Sequence, residues 1–239
     1  MRLPLVIAIA LSSVVAHAAP PRAEIQVALC EPTELLASKL GLRERGPPYE
    51  TWHFDDTSLT LLERGIRLRL RTTRDGGNLT LKAANLDCKS LPGGAIQSAE
   101  GKCEYDMYGD TISGAVSLSR TLDAATTRDL LAGKVEVATL LSQPQLSFLR
   151  DVMKSWPLPA ELRPLGPISN RVYRASRYDV DISTLPDGQS YAEIADKVPL
   201  DKAASEHDKL LRRLSHAKVE VCPDQRGQAA AKMKRLAGR

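Results

Sequence analysis

The chain has 239 residues, enough to bury a substantial core and a usual size for one domain. Its 43% apolar and 26% charged residues give a globular composition. Aromatic residues make up only 4%, which argues against stacking on bases or sugars. A formal charge of +4 is too mild to mark a nonspecific nucleic-acid binder.

The first residues read as a targeting segment. Arg2 precedes an apolar run over residues 3–15, interrupted only by Pro4, Ser12 and Ser13, and Ala16-His17-Ala18 fits the small-x-small cleavage rule. Residues 1–18 are therefore expected to be a secretory signal peptide, too short to span a membrane stably. Residues 19–239 are expected to form one exported domain, periplasmic or secreted, with no membrane attachment after cleavage. The four cysteines, Cys30, Cys88, Cys103 and Cys222, all follow the cut. An even number in an exported chain reads as disulfides. Three pairings are open: Cys88–Cys103 would staple a local loop, and Cys30–Cys222 would tie the start to the end. No C-x-x-C spacing is present, so zinc or dithiol chemistry is not expected. Nor is there a P-loop, a G-x-S-x-G or a G-x-G-x-x-G.

Residues 23–29 alternate Ile25, Val27 and Leu29 with Glu24, Gln26 and Ala28, the period of a strand. Residues 32–40 follow as a short helix before Gly41, and residues 49–54 as a second strand. Residues 59–64 read as a helical turn ended by Gly65. A hairpin comes next. Ile66, Leu68 and Leu70 alternate with Arg67, Arg69 and Arg71, Asp75-Gly76-Gly77-Asn78 supplies the turn, and residues 79–82 return. Residues 85–97 read as a loop containing Pro92-Gly93-Gly94. Residues 102–107 read as a strand with Lys102, Glu104 and Asp106 on one face. Residues 111–156 read as mostly helical, and the proline-rich stretch 158–167 as a linker or extended wall. In the strand-like stretch 169–178, period two separates Arg174 from Arg171 and Arg177. Asp179 and Asp181 alternate with Val180 and Ile182, residues 185–188 turn, and residues 191–197 form a strand carrying Glu193. Helices over 201–214 and 226–236 close the chain, the second polar and basic.

Arginines crowded on one hairpin face repel one another and need a dense anion, a set of carboxylates or water to offset them. A solvated edge face is the alternative. Similar charged faces recur on several predicted strands. If these strands close into a barrel, the faces share one lumen. A lumen of both signs suits a polyphosphate gripped by arginines and lysines, with divalent metal bridging it to carboxylates.

The order of these motifs resembles the CYTH family, also known as triphosphate tunnel metalloenzymes. Phe54-Asp55-Asp56-Thr57, Leu61 through Gly65 to Leu68-Arg69, and Thr80-Leu81-Lys82 carry its most specific part. Lys102 to Asp106, Arg171, Asp179 to Asp181 and Glu193 follow in order. The resemblance implies an α+β fold, a mainly antiparallel, eight-stranded barrel-like tunnel with helices packed outside. It implies Arg67, Arg69, Lys82, Lys102, Arg171 and Arg174 as phosphate ligands. Glu24, Glu104, Asp106 and Glu193 would hold Mg2+ or Mn2+, and Asp179 and Asp181 would act in catalysis by completing the metal shell or orienting water. The implied ligand is inorganic triphosphate, polyphosphate or a nucleoside triphosphate, and the implied reaction is metal-dependent phosphoanhydride hydrolysis. Three positions depart from the family pattern: Gln26 and Ala195 stand where acids are usual, and Ala28 where a lysine is. A polyanion-binding module without turnover, or a disulfide-braced scaffold for a protein partner, are the alternatives.

Overall fold

The computed structural model describes residues 21–88, 100–153, 157–225 and 228–238. The expected signal peptide and residues 89–97 of the expected loop lie outside the described residues, and Asn85 and Leu86, expected in that loop, belong to a strand. The strands are β1 (Arg22–Leu29), β2 (Arg43–Glu44), β3 (Tyr49–Asp55), β4 (Ile66–Thr73), β5 (Gly76–Leu86), β6 (Gly101–Tyr108), β7 (Thr111–Asp123), β8 (Arg163–Ala175), β9 (Tyr178–Thr184) and β10 (Ser190–Pro199). The helices are α1 (Thr33–Leu40), α2 (Thr60–Glu63), α3 (Ala124–Leu131), α4 (Gln143–Met153), α5 (Ala203–His216) and α6 (Gln228–Leu236).

Among the described residues, nine strands close into a barrel in the order β8-β3-β4-β5-β7-β6-β1-β10-β9, with β9 returning to β8. The short β2 lies along β8 beyond β3. Neighbours run antiparallel except β1 and β6, which are parallel. The barrel is therefore mainly antiparallel, as expected, but it has nine strands rather than eight and one parallel pairing. The additional strand is β7, within the stretch expected to be helical. Its Val116, Leu118 and Leu122 are buried on one face, while Ser117 and Ser119 take the other. Of the two readings of the proline-rich stretch, the extended wall holds from Arg163 onward. It starts β8, pairing Pro164 with Phe54 across a register shift beside Gly166. Gly166 has φ +152, and a Cβ there would come within 2.9 Å of the Thr51 carbonyl oxygen. The hairpin turn falls on Arg74 and Asp75, because Gly76 and Gly77 already pair with Thr73 and Thr72.

The apolar strand faces point outward. Leu68, Leu70, Leu79, Leu81 and Leu118 pack with Leu130 of α3 and Phe148 and Leu149 of α4. Ile25, Val27, Val180 and Ile194 pack with Leu36 of α1 and Leu210 and Leu214 of α5. By period two, the opposite faces look into the barrel. The Phe54-Asp55-Asp56-Thr57 motif serves this architecture. Asp55 accepts from the Leu61 and Leu62 amides at 3.0 Å, and Asp56 accepts from the Ser58 amide at 2.9 Å and the Thr60 amide at 3.0 Å. Together they cap α2, whose N-terminal amides lack partners within the helix. Gly65, at φ +72, then turns the chain into β4.

Two disulfides are formed, Cys30–Cys222 and Cys88–Cys103. The first binds the end of β1 to the segment that leads to α6. Gln225 adds to this tie: its Oε1 accepts from the Ala28 amide at 2.8 Å, and its Nε2 donates to the Ala28 carbonyl at 3.3 Å. α6 then lies against one end of the barrel. Its Met233 is fully buried with Leu59 and Leu165, and Gln228 donates to the Ala192 carbonyl at 3.1 Å. Among the described residues, no helix is long and apolar enough to cross a membrane.

The alternation of faces has a measurable consequence. Leu68→Ala is expected to lower the stability of the chain by about 2–5 kcal/mol, the range for removing a buried leucine side chain. Arg69→Ala, one residue along but on the charged inner face, is expected to leave the urea midpoint unchanged or raise it, because it removes one of three crowded like charges.

Candidate functional site

Strand register decides which charges meet inside the barrel. Arg69 of β4 lies opposite His53 of β3 and Thr80 of β5. Arg67 lies opposite Lys82, which lies opposite Ser117, and Ser117 opposite Lys102. Glu24 of β1 lies between Asp106 of β6 and Lys197 of β10. Glu193 lies between Ala28 and Asp181, and Asp179 between Ala195 and Arg174.

These charges separate into two groups. In the first, three lysines meet three carboxylates. Lys82 Nζ is 2.5 Å from Asp106 Oδ2, Lys102 Nζ is 2.8 Å from Glu104 Oε2, and Lys197 Nζ is 2.8 Å from Glu104 Oε1. Glu24 completes this group. Burial raises its pKa, Lys197 opposes the shift, and Asp106 reinforces it.

In the second group, four cations meet two carboxylates. The cations are Arg67, Arg69, Arg71 and, from α6, Lys232; the carboxylates are Asp181 and Glu193. Among the described residues, no ion pair reaches any of the three arginines. Burial, then Arg71 and Arg67, push the Arg69 guanidinium down to about 9. Arg71 stacks 5.0 Å from the Tyr49 ring centroid, and its buried Nε has no partner. Burial and then Arg69 hold the His53 pKa well below its ordinary value, so the ring is neutral. The Tyr49 hydroxyl donates to Asp181 Oδ2 at 3.3 Å, while Oδ1 of the same carboxyl is buried without a partner. Burial raises Asp181 as well, against the pull of Arg71 and Lys232. Burial pushes Glu193 up to about 7 despite Lys232 nearby, with Asp181 adding to the shift. Lys232 donates to Ser183 Oγ at 3.3 Å and lies 5.7 Å from the Tyr191 ring centroid. An interior with surplus positive charge and unpartnered polar atoms can accept an anion without displacing an existing ion pair.

Of the residues singled out from the sequence, Arg67, Arg69, Asp181 and Glu193 lie in the arginine-rich group. Lys82, Lys102, Glu24, Glu104 and Asp106 lie in the lysine group. Arg174 and Asp179 form a separate, more exposed cluster. Asp179 there takes Arg45 at 2.5 Å and Arg174 at 3.3 Å. Arg171 is not brought to any of these. It lies opposite Ile182, whose side chain packs with the outer apolar cluster, is exposed, and sits 3.7 Å from Glu44. Residues that went unassigned are Arg71, Lys197, Tyr49, His53 and Lys232. Lys197 was open to the same argument as Glu193, being four residues along one strand and hence on the same face. Lys232 had no such signal, since it comes from a helix.

The side chains do not fit a divalent cation well. Mg2+ and Mn2+ sites gather several oxygen donors around one point. Among the described residues, no group of three or more His, Cys, Asp or Glu side chains is so placed. Glu104 and Asp106 are bonded to lysines. Ala28 and Ala195 offer no side-chain donor, and Gln26 Oε1 already accepts from the Tyr108 hydroxyl at 2.6 Å.

No protein-family model and no curated protein matches the chain. Solved structures do. HpAC1 from Hippeastrum, described as a proposed adenylyl cyclase with a dominant triphosphatase activity, aligns with a TM-score of 0.58 at 14% identity, covering 87% of this chain and 93% of its own. A proposed adenylate cyclase, bh2851 from Bacillus halodurans, aligns with a TM-score of 0.56 at 16% identity, covering 89% and 97%. The chain shares their fold, the barrel implied by the resemblance of its motifs.

The raised Glu193 carboxyl gives a pH signature. Its pKa in the folded chain, about 7, lies above the ordinary 4.5, so the folded state binds this proton more tightly than the unfolded state. Stability is thus lost as the pH rises from about 4.5 to about 7 and levels off above. Glu193→Gln removes the titration. Its stability gain over the unaltered chain is expected to grow across that window in urea melts, with the two chains alike at the acid end.

Proposed function

We propose that the barrel interior binds the phosphate chain of an inorganic triphosphate, a longer polyphosphate or a nucleoside triphosphate. The observation that carries this reading is the arginine-rich group: Arg67, Arg69, Arg71 and Lys232 gather around Asp181 and Glu193, and the three arginines have no ion pair among the described residues. Planar guanidinium groups spaced along one strand face suit the oxygens of successive phosphates, each able to bond two at once. Alternate residues of a strand lie about 7 Å apart, so Arg67, Arg69 and Arg71 together track an extended chain of anionic groups. Lys232 adds a cation at the α6 end. Tyr49 and neutral His53 add polar contacts beside the arginines. The triphosphatase activity described for HpAC1 favours a phosphate chain over other polyanions. The aromatic content of 4% gives no support to reading nucleic-acid sequence.

Binding without turnover is the form of this reading that the residues favour. Mg2+ or Mn2+ held by Glu24, Glu104, Asp106 and Glu193, with Asp179 and Asp181 in catalysis, is the hydrolytic form. Asp179 is taken up by Arg45 and Arg174, and two carboxylates of the expected metal set are taken up by lysines. Two disulfides suit an oxidising compartment, and the binding protein is proposed to work outside the cytoplasm.

Calorimetric titration with tripolyphosphate is expected to show saturable binding that weakens at least roughly tenfold, about 1.4 kcal/mol, in Arg69→Ala. Phosphate release is expected to be absent with Mg2+, Mn2+ or EDTA. Release that depends on Mn2+ and on Arg69 would establish the hydrolytic form instead, and an absence of both binding and release would remove the reading.

A further inference from the structure

The positions that depart from the family pattern are not scattered. Gln26 and Ala195 are direct partners in the β1–β10 register, and Ala28 is the partner of Glu193. The loss of carboxylates is thus concentrated on two adjacent strands. On the same inner face, two residues beyond Ala195, stands Lys197. Its register partner is Glu24, which in turn lies opposite Asp106 on the parallel strand β6. Its ammonium donates to Glu104 Oε1 at 2.8 Å. One cation therefore faces three carboxylates drawn from β1 and β6.

We propose that the Lys197 ammonium occupies the place a divalent cation would need among Glu24, Glu104 and Asp106, so that the barrel binds its anion without a metal. The part concerning the anion rests on the reading given above; the part concerning Lys197 does not. Each carboxylate of the group has a nearby ammonium. Asp106 is held by Lys82 and Glu104 by Lys102 as well as Lys197. A dication entering the group would have to displace at least one of these ammonium groups, with their charges then left close to it. The four cations of the arginine-rich group offset part of the anion's charge without a metal.

The test uses the full chain and Mn2+ alone, with binding read from loss of the free-ion electron paramagnetic resonance signal. The unaltered chain is expected to leave the signal intact, and Lys197→Ala and Lys197→Gln to take up one Mn2+ each. Lys197→Arg, which keeps the positive charge, is expected to take up none. Stoichiometric uptake by the unaltered chain would overturn the assignment of Lys197. So would failure of every folded neutral variant to gain uptake. In a second arm, tripolyphosphate is titrated by calorimetry in EDTA and in Mn2+. The unaltered chain is expected to give the same affinity in both, and Lys197→Ala roughly tenfold tighter binding in Mn2+. Binding by the unaltered chain that requires Mn2+ would overturn the inference and leave the proposed function standing. No binding in either buffer would remove the proposed function, and the Mn2+ arm would then decide the role of Lys197 by itself.

Discussion

Three arginines on alternate positions of one strand are held together by what lies behind them. Leu68 and Leu70 on β4, and Leu79 and Leu81 on β5, are fully excluded from solvent beneath α3 and α4. Burying each such side chain contributes on the order of 1.5–3 kcal/mol. This apolar outer layer offsets the repulsion among Arg67, Arg69 and Arg71 and fixes their common direction. A slip of one residue in register would turn the leucines inward and the guanidinium groups into the helix contacts. Such a slip is therefore excluded by both faces at once.

Closure of the barrel extends the same constraint to distant parts of the chain. β1 joins β6 in parallel and β10 in antiparallel pairing, which places Glu24 between residues 82 and 173 positions away. The Cys30–Cys222 disulfide and the Gln225 bonds to Ala28 fasten the end of β1 to the segment entering α6. Met233 then anchors α6 against Leu59 and Leu165, and Lys232, its immediate neighbour, is turned toward Ser183 and the arginine-rich group. An oxidised pair of cysteines thus takes part in setting where a cation sits inside the barrel.

The legible part of this arrangement was the part written in period two. β1, β4, β5, β6, β9 and β10 each carry an unbroken alternation, and their inner charges could be named from it. β7 carries a similar alternation in Val116, Ser117, Leu118 and Ser119. Its small residues and the leucines that follow mask it, and the whole stretch reads as helix. Parity also sets Arg171 apart from Arg174, and the structure follows parity: Arg174 faces Asp179, and Arg171 does not. What the alternation could not carry was contact between elements far apart in sequence. Lys232 belongs to a helix whose position depends on a disulfide and on barrel closure. The Phe54-Asp55-Asp56-Thr57 motif shows the converse. It belongs to the most specific part of the resemblance, and its two aspartates cap a helix.

The division of charge inside the barrel bears on what a bound anion does to the protein itself. In the lysine group the charges are already matched, so adding an anion there separates existing pairs. In the arginine-rich group they are not matched. The depression of Arg69, by burial first and then by Arg71 and Arg67, is a cost carried by the folded state alone. An anion placed among these guanidinium groups would offset their mutual repulsion, and the unfolded chain, with its arginines dispersed, would gain little from the same ligand. Binding and stability are then the same free energy viewed from two sides. The residues that make this interior unfavourable to fold are those that make it favourable to fill. Evolution toward a more stable barrel, by exchanging an arginine for a neutral residue, would remove the proposed binding site with it.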